Sequence, residues 1–178
     1  MKTYIGIKEI AAKPLGRGGY NKYRGWETPK DENPKDKGYF IQYPDGYESW
    51  SPEKQFDDAY SEFSNPIDLK LGSTNFTKVT YNGYKEFNNY HHYVIRTEEK
   101  VVSDIRFQKG PVKEQGINGC HNEDLINIVI HRLREFQDSK YACKENACAI
   151  TKLEEAVHWL KARTEKRKER GVEGTSEI

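Results

Sequence analysis

Apolar and polar positions change rhythm along this chain, and the change divides it into two parts. From Tyr4 to Phe63, aromatic residues alternate with clusters of turn formers: Leu15-Gly16-Arg17-Gly18-Gly19, Glu32-Asn33-Pro34 and Pro44-Asp45-Gly46. Such punctuation favours short strands over long helices. Tyr39-Phe40-Ile41-Gln42-Tyr43 runs into the Pro-Asp-Gly turn and Tyr47-Glu48-Ser49-Trp50 leaves it, which predicts a β-hairpin. Ser51 and Pro52 read as the N-cap and first position of a short helix reaching about Phe63. Ser64-Asn65-Pro66 and Leu71-Gly72-Ser73 then bracket a polar connector, the expected boundary between modules.

Beyond the connector, residues 76–81, 92–96 and 101–107 are rich in β-branched and aromatic side chains and predict a small antiparallel sheet. Asn122-Glu123-Asp124 supplies a cap and an acidic first turn, after which Leu125, Ile128, Val129, Leu133 and Phe136 recur at helical spacing. After a break near Asp138-Ser139, a second helix is expected from about Lys144, with Ile150, Leu153, Val157 and Leu160 on one stripe. The expected fold is therefore α+β. A small β-rich module over 1–66 precedes, over 67–178, a small antiparallel β-sheet followed by a two-helix antiparallel hairpin. Three short strands and a hairpin bury little surface alone, so the hairpin is expected to oligomerise, with a ligand pocket between protomers.

Composition narrows the function classes. Only 35% of the 178 residues are hydrophobic and mean hydropathy is −0.98, yet seven Phe, twelve Tyr and three Trp supply enough burial for a folded chain. No run approaches the roughly 18 apolar residues of a membrane span, and Met1-Lys2-Thr3-Tyr4 opens no export signal, so a cytosolic protein is expected. Cys120, Cys143 and Cys148 are odd in number and read as reduced thiols. Neither they nor His91, His92 and His121 show zinc-ligand spacing, so no metal is expected. Glu154, Glu155 and His158 read as helix-surface residues. With no phosphate loop, dinucleotide fingerprint or nucleophile elbow, neither catalysis nor a cofactor is expected.

Charge redirects attention to one place. Lys+Arg 29 against Asp+Glu 28 excludes whole-molecule attraction to nucleic acid or anionic membranes, but residues 161–170 hold six cations and two anions. One reading is a solvated helix end complementing the helix dipole. The other is phosphate binding: Arg163 and Arg167 are four apart on one face, and two guanidinium groups can meet one phosphate pair. Phe136 at the close of the first helix and Asn146 at the start of the second could stack on a base and read its edge, although Phe136 also fits the end of a core stripe. Residues 110–119, punctuated by glycine before a helix, read either as an anion-accepting loop or as a plain turn.

A set of motifs carries a resemblance. Phe107-Gln108-Lys109-Gly110-Pro111-Val112-Lys113-Glu114, Gly116-Ile117-Asn118-Gly119, Asn122-Glu123-Asp124-Leu125, Cys143-Lys144-Glu145-Asn146-Ala147, Ile150-Thr151-Lys152-Leu153-Glu154-Glu155-Ala156 and Arg170-Gly171-Val172-Glu173-Gly174-Thr175 resemble the first type of phage Thoeris anti-defence protein. The helical hairpin of that family is similar to that of the phage anti-CBASS sponge. The resemblance covers about residues 75–178. It implies a non-enzymatic sponge that sequesters cyclic ADP-ribose isomers made by bacterial TIR enzymes, acting in the cytoplasm of the infected host. It also implies a homo-oligomer, dimer or hexamer, with pockets between protomers, and in some members a second site for cyclic di- or trinucleotides. Carried over, Phe136 is the pocket aromatic, Asn146 the polar contact and Arg163 the phosphate contact; Arg167 extends these by helix spacing. For a second site the chain offers Arg106, Lys113 and Arg170. The segment before residue 67 looks like a module found at the start of various phage proteins. The competing expectations are a nucleic-acid-binding accessory protein, which overall neutrality disfavours, and a structural oligomerisation protein.

Overall fold

The computed structural model describes residues 2, 6–70 and 76–177; Tyr4, Ile5 and the Leu71-Gly72-Ser73 end of the expected connector lie outside them. The first part is a three-stranded antiparallel sheet, β1 (Ala11–Pro14), β2 (Gly38–Gln42) and β3 (Glu48–Pro52), in that order. The expected hairpin is β2–β3, closed by Tyr43 N–H donating to the Tyr47 carbonyl at 2.8 Å, with Gly46 at φ 85. A positive φ suits glycine, which has no Cβ to clash.

Helix α1 (Arg17–Arg24) sits where the sequence read as a run of turn formers. Its glycines make room rather than break structure: a Cβ on Gly18 would come within 2.8 Å of Pro34, and one on Gly19 within 2.8 Å of Leu15. The helix anchors the module through Tyr20, buried beside Phe40 and Trp26, and through Arg17, whose guanidinium pairs with Glu32. Helix α2 (Glu53–Ala59) is shorter than expected at both ends. Ser51 belongs to β3, paired with Tyr39, and Pro52 is the N-cap, so the strand claims the residue that the capping pattern offered to the helix.

The second sheet has four antiparallel strands, β4 (Pro66–Asp68), β5 (Lys78–Asn82), β6 (His92–Arg96) and β7 (Val101–Arg106). The last three are those expected; β4 forms inside the supposed connector, Pro66 pairing with Asn82 and Ile67 with Tyr81. After the one-turn α3 (Val112–Gln115) come α4 (Asn122–Gln137) and α5 (Lys144–Glu169), which pack on each other. The N-cap of α4 is His121, one residue before the expected cap, and its backbone N–H donates to the Asp124 carboxylate at 2.8 Å. The α5 stripe points inward as expected, with Val157 buried and Ile150, Leu153 and Leu160 half-buried. The α4 stripe does so only in part, with Leu125 and Leu133 half-buried. Ile130 is the buried residue, while Ile128 and Val129 face solvent, because α4 has two apolar faces and α5 covers one.

Among the described residues, the buried apolar side chains are Tyr20, Ile41, Val94, Ile130 and Val157, one or two for each layer. No helix of the described residues is long and apolar enough to cross a membrane.

Candidate functional site

The helix pair and the segments that brace it hold most of the residues singled out by sequence. The connection between α4 and α5 is knit by side chains. Ser139 Oγ donates to the Phe136 carbonyl at 2.7 Å, Cys143 N–H donates to Gln137 Oε1 at 2.8 Å, and Asn146 N–H donates to Cys143 Sγ at 3.4 Å. This relay holds the last turn of α4, with Phe136, beside the first turn of α5, with Asn146. The Phe136 ring is partly open to solvent, and the Arg132 guanidinium lies 5.3 Å from its centroid, the geometry of a cation over a π face. Asn146 is half-buried.

Arg163 lies on the same helix as Asn146 but seventeen residues on, about 26 Å away at helical rise. It is exposed and has no hydrogen bond or ion pair among the described residues. One chain therefore does not bring Arg163 to Phe136 and Asn146. Sequence reasoning also missed Trp159, one turn before Arg163 and 64% exposed, an apolar side chain that α5 leaves uncovered as α4 leaves Ile128 and Val129. Its signal was present: Trp159 falls out of phase with the inward stripe of α5, so it had to point outward.

Arg167 does not stand free beside Arg163. Its Nη2 donates to the carbonyls of Val172, Thr175 and Glu177 at 2.9, 2.9 and 2.8 Å, folding the segment after α5 back along the helix. That tail then docks on α3. Lys113 N–H donates to the Gly174 carbonyl at 2.9 Å, Ser176 N–H donates to Glu114 Oε1 at 2.6 Å, and Lys113 Nζ lies 3.7 Å from Glu173. The two glycine-rich segments thus form one clasp. A Cβ on Gly174 would press on the Lys113 side chain at 3.0 Å, which explains a glycine there.

The loop before α4 is filled from within, which corrects the anion-accepting reading of it. Asn118 Oδ1 accepts from Lys109 N–H at 2.7 Å, Asn118 N–H donates to Gln108 Oε1 at 3.0 Å, and Gln108 Nε2 donates to the Gly116 carbonyl at 2.8 Å. Gly119 passes so close to Phe107 that a Cβ would lie 2.4 Å from its carbonyl carbon.

Of the residues offered for a second site, Lys113 belongs to the clasp, Arg170 donates to the Lys166 carbonyl at 3.3 Å, and Arg106 lies elsewhere. Arg106 grips Asp104 Oδ2 through Nε at 3.1 Å and Nη2 at 2.9 Å, while His92 Nε2 meets Asp104 Oδ1 at 2.5 Å. The His92 hydrogen bond above all, with Arg106, holds the Asp104 carboxyl below its usual range despite burial. No hydrogen bond or ion pair among the described residues joins the three proposed cations.

The second part of the chain is thus a four-stranded antiparallel sheet leading through a knit loop into a helix pair that carries exposed apolar side chains and, in Arg163, an arginine with no partner among the described residues. Residues 99–165 match the family model described as Acb2/Tad1, hairpin domain, a span that contains Phe136, Asn146 and Arg163 but not Arg167. The chain is also similar to Thoeris anti-defense 1 of Bacillus phage SBSphiJ7, at 59% identity over 76 residues, 43% of this chain and 54% of that relative. The chain thus spans about half the length of the curated relative it matches. Both findings support the resemblance to the Thoeris anti-defence family that the sequence motifs carry.

Proposed function

We propose that this chain is a phage anti-defence sponge, working inside the infected host, that sequesters cyclic ADP-ribose isomers without cleaving them. The observation that carries the reading is the separation within the matched domain. Phe136 and Asn146 sit at one end of the helix pair, and the unpaired Arg163 sits about 26 Å away. One small ligand reaches both ends only when a second protomer lays its α5 across the first, and the exposed apolar side chains Ile128 and Val129 of α4 and Trp159 of α5 would serve that contact. In the resulting pocket the adenine stacks on Phe136, Asn146 reads its polar edge, and the partner's Arg163 meets the diphosphate with planar, charge-assisted hydrogen bonds. Arg167 supports Arg163 indirectly, by tying down the tail beside it. No step requires a nucleophile, since capture works by mass action and tight binding.

Calorimetric titration with a cyclic ADP-ribose isomer, followed by heating the complex and analysing what is released, tests this reading. Tight binding and return of intact ligand are expected; a cleaved product would make the protein an enzyme, and no heat would remove the ligand assignment. Arg163→Ala should abolish capture while light scattering shows the oligomer unchanged. Phe136→Ala should weaken binding by about 1–3 kcal/mol, the range for one base stacked on an aromatic ring.

A further inference from the structure

A cleft of about 910 Å³ opens between the first module and the second sheet, and none of its lining residues belongs to α4 or α5. Its size is that of a small-molecule site. One side is the face of β6 and β7 that carries His92, Arg96, Asp104 and Arg106. The other is built by α2 and the turn after it, and it is aromatic. Phe56, Tyr60 and Phe63 line the cleft, Tyr39 stacks on Phe56 at 4.0 Å, and Phe56 meets Tyr60 at 5.0 Å. Asp57 and Glu62 alternate with these rings along the chain, so carboxylates and π faces share one wall.

Hydrogen bonds and ion pairs sort the charges. Arg96 donates to Glu9 at 2.9 Å, Arg106 grips Asp104 through Nε and Nη2, and Lys8 Nζ stands 5.3 Å from the centroid of the Tyr43 ring. The cations of the lining are thus engaged, and Lys8 shows the chain itself resting an ammonium on an aromatic face at the edge of the cleft. The carboxylates of the aromatic wall have no such partners. Among the described residues no cation lies within ion-pair distance of Asp57 or Glu62. Hydroxyls alone attend them: Ser64 Oγ donates to Glu62 Oε1 at 2.6 Å, and the charge of Asp57 pushes the nearby Tyr39 hydroxyl above its usual range. Residues 53–63 as a whole hold four carboxylates against one lysine, which deepens the negative potential of this wall. Unpaired carboxylates beside π faces attract a cation. The donor set does not suit a metal ion, because no group of three or more metal-ligating side chains forms among the described residues. An organic ammonium suits both parts of the wall: its N–H groups meet the carboxylates while its charge and methylene stem lie on the rings.

We infer that this cleft binds an aliphatic polyamine, its ammonium groups on Asp57 and Glu62 and its methylenes along Phe56, Tyr60 and Phe63. The inference is independent of the site on the helix pair. Calorimetric titration of the full chain with putrescine and spermidine at physiological ionic strength, with n-butylamine and magnesium chloride as controls, tests it. Spermidine should bind at least about tenfold more tightly than n-butylamine, and Asp57→Asn and Tyr60→Leu should each weaken it about tenfold. Asp58→Asn, which removes a neighbouring carboxylate outside the lining, should leave the affinity unchanged, as should Phe136→Ala. Melting curves of the Asp57, Asp58 and Tyr60 variants should match that of the parent chain. Absence of binding by both polyamines overturns the inference. So does an equal loss in Asp57→Asn and Asp58→Asn, which would reduce the effect to diffuse charge attraction. Displacement of spermidine by equimolar magnesium would overturn it in favour of a metal site, and a lysine-rich peptide that outcompetes spermidine at equal ammonium concentration would overturn it in favour of a dock for a basic segment.

Discussion

At Glu32, donors from two residues converge on one carboxylate: the Arg17 guanidinium, with Nε at 2.7 Å, and Asn21 Nδ2 at 3.0 Å. The Arg17 hydrogen bond, then that of Asn21, lowers its pKa from 4.5 to about 2. A depressed carboxylate contributes stability that is complete above its unfolded pKa and lost as pH falls through the folded one. The first module should therefore weaken between about pH 4.5 and about pH 2. Thermal melts across that window should show a slope that Glu32→Gln flattens. A second effect at this scale is steric. Gly119→Ala would drive a methyl group into the Phe107 backbone, which cannot yield as a flexible side chain can. It should cost about 1–3 kcal/mol, read as a lower midpoint in urea, whereas alanine at the open Gly6 should be silent.

Among the elements, α4, α5 and the β2–β3 hairpin were legible because their signals are local: apolar residues every three or four positions, or a turn between alternating runs. Helix α1 was hidden because Gly18 and Gly19 look like breakers until the approach of Pro34 and Leu15 explains them. Strand β4 was hidden because three residues acquire strand character only through pairing with β5. Of the candidate site, the pattern yielded Phe136, Asn146 and Arg163 as residues but not their arrangement, since periodicity does not say which apolar face of α4 stays uncovered. It misjudged Arg167, whose acceptors are carbonyls, groups that every residue carries and no motif marks. Arg167→Ala should free the tail: amide exchange over residues 172–176 should accelerate, and stability should fall by about 1–3 kcal/mol, the range for hydrogen bonds from a charged donor.

For the whole molecule, the proposed association of protomers carries a prediction, because few side chains are fully buried among the described residues and large apolar ones on both helices are exposed. Melting temperature should rise with protein concentration, as it does when folding and assembly are linked. Trp159→Glu, which sets a charge on an exposed apolar position of α5 in the proposed contact, should remove the dependence and yield monomers in sedimentation.

The clasp between the tail and α3 also orders events in time. Ser176 and Glu114 stand 62 positions apart, and closing a chain segment of that length before the helix pair exists would cost roughly 4 kcal/mol of loop entropy. Once α4 and α5 have paired, their ends are already close and the clasp closes cheaply. The clasp is therefore expected to form late, after the rate-limiting transition state. Loosening it should leave the refolding rate unchanged and put its whole effect into faster unfolding. The tail sets how long the native helix pair lasts, not how quickly it forms.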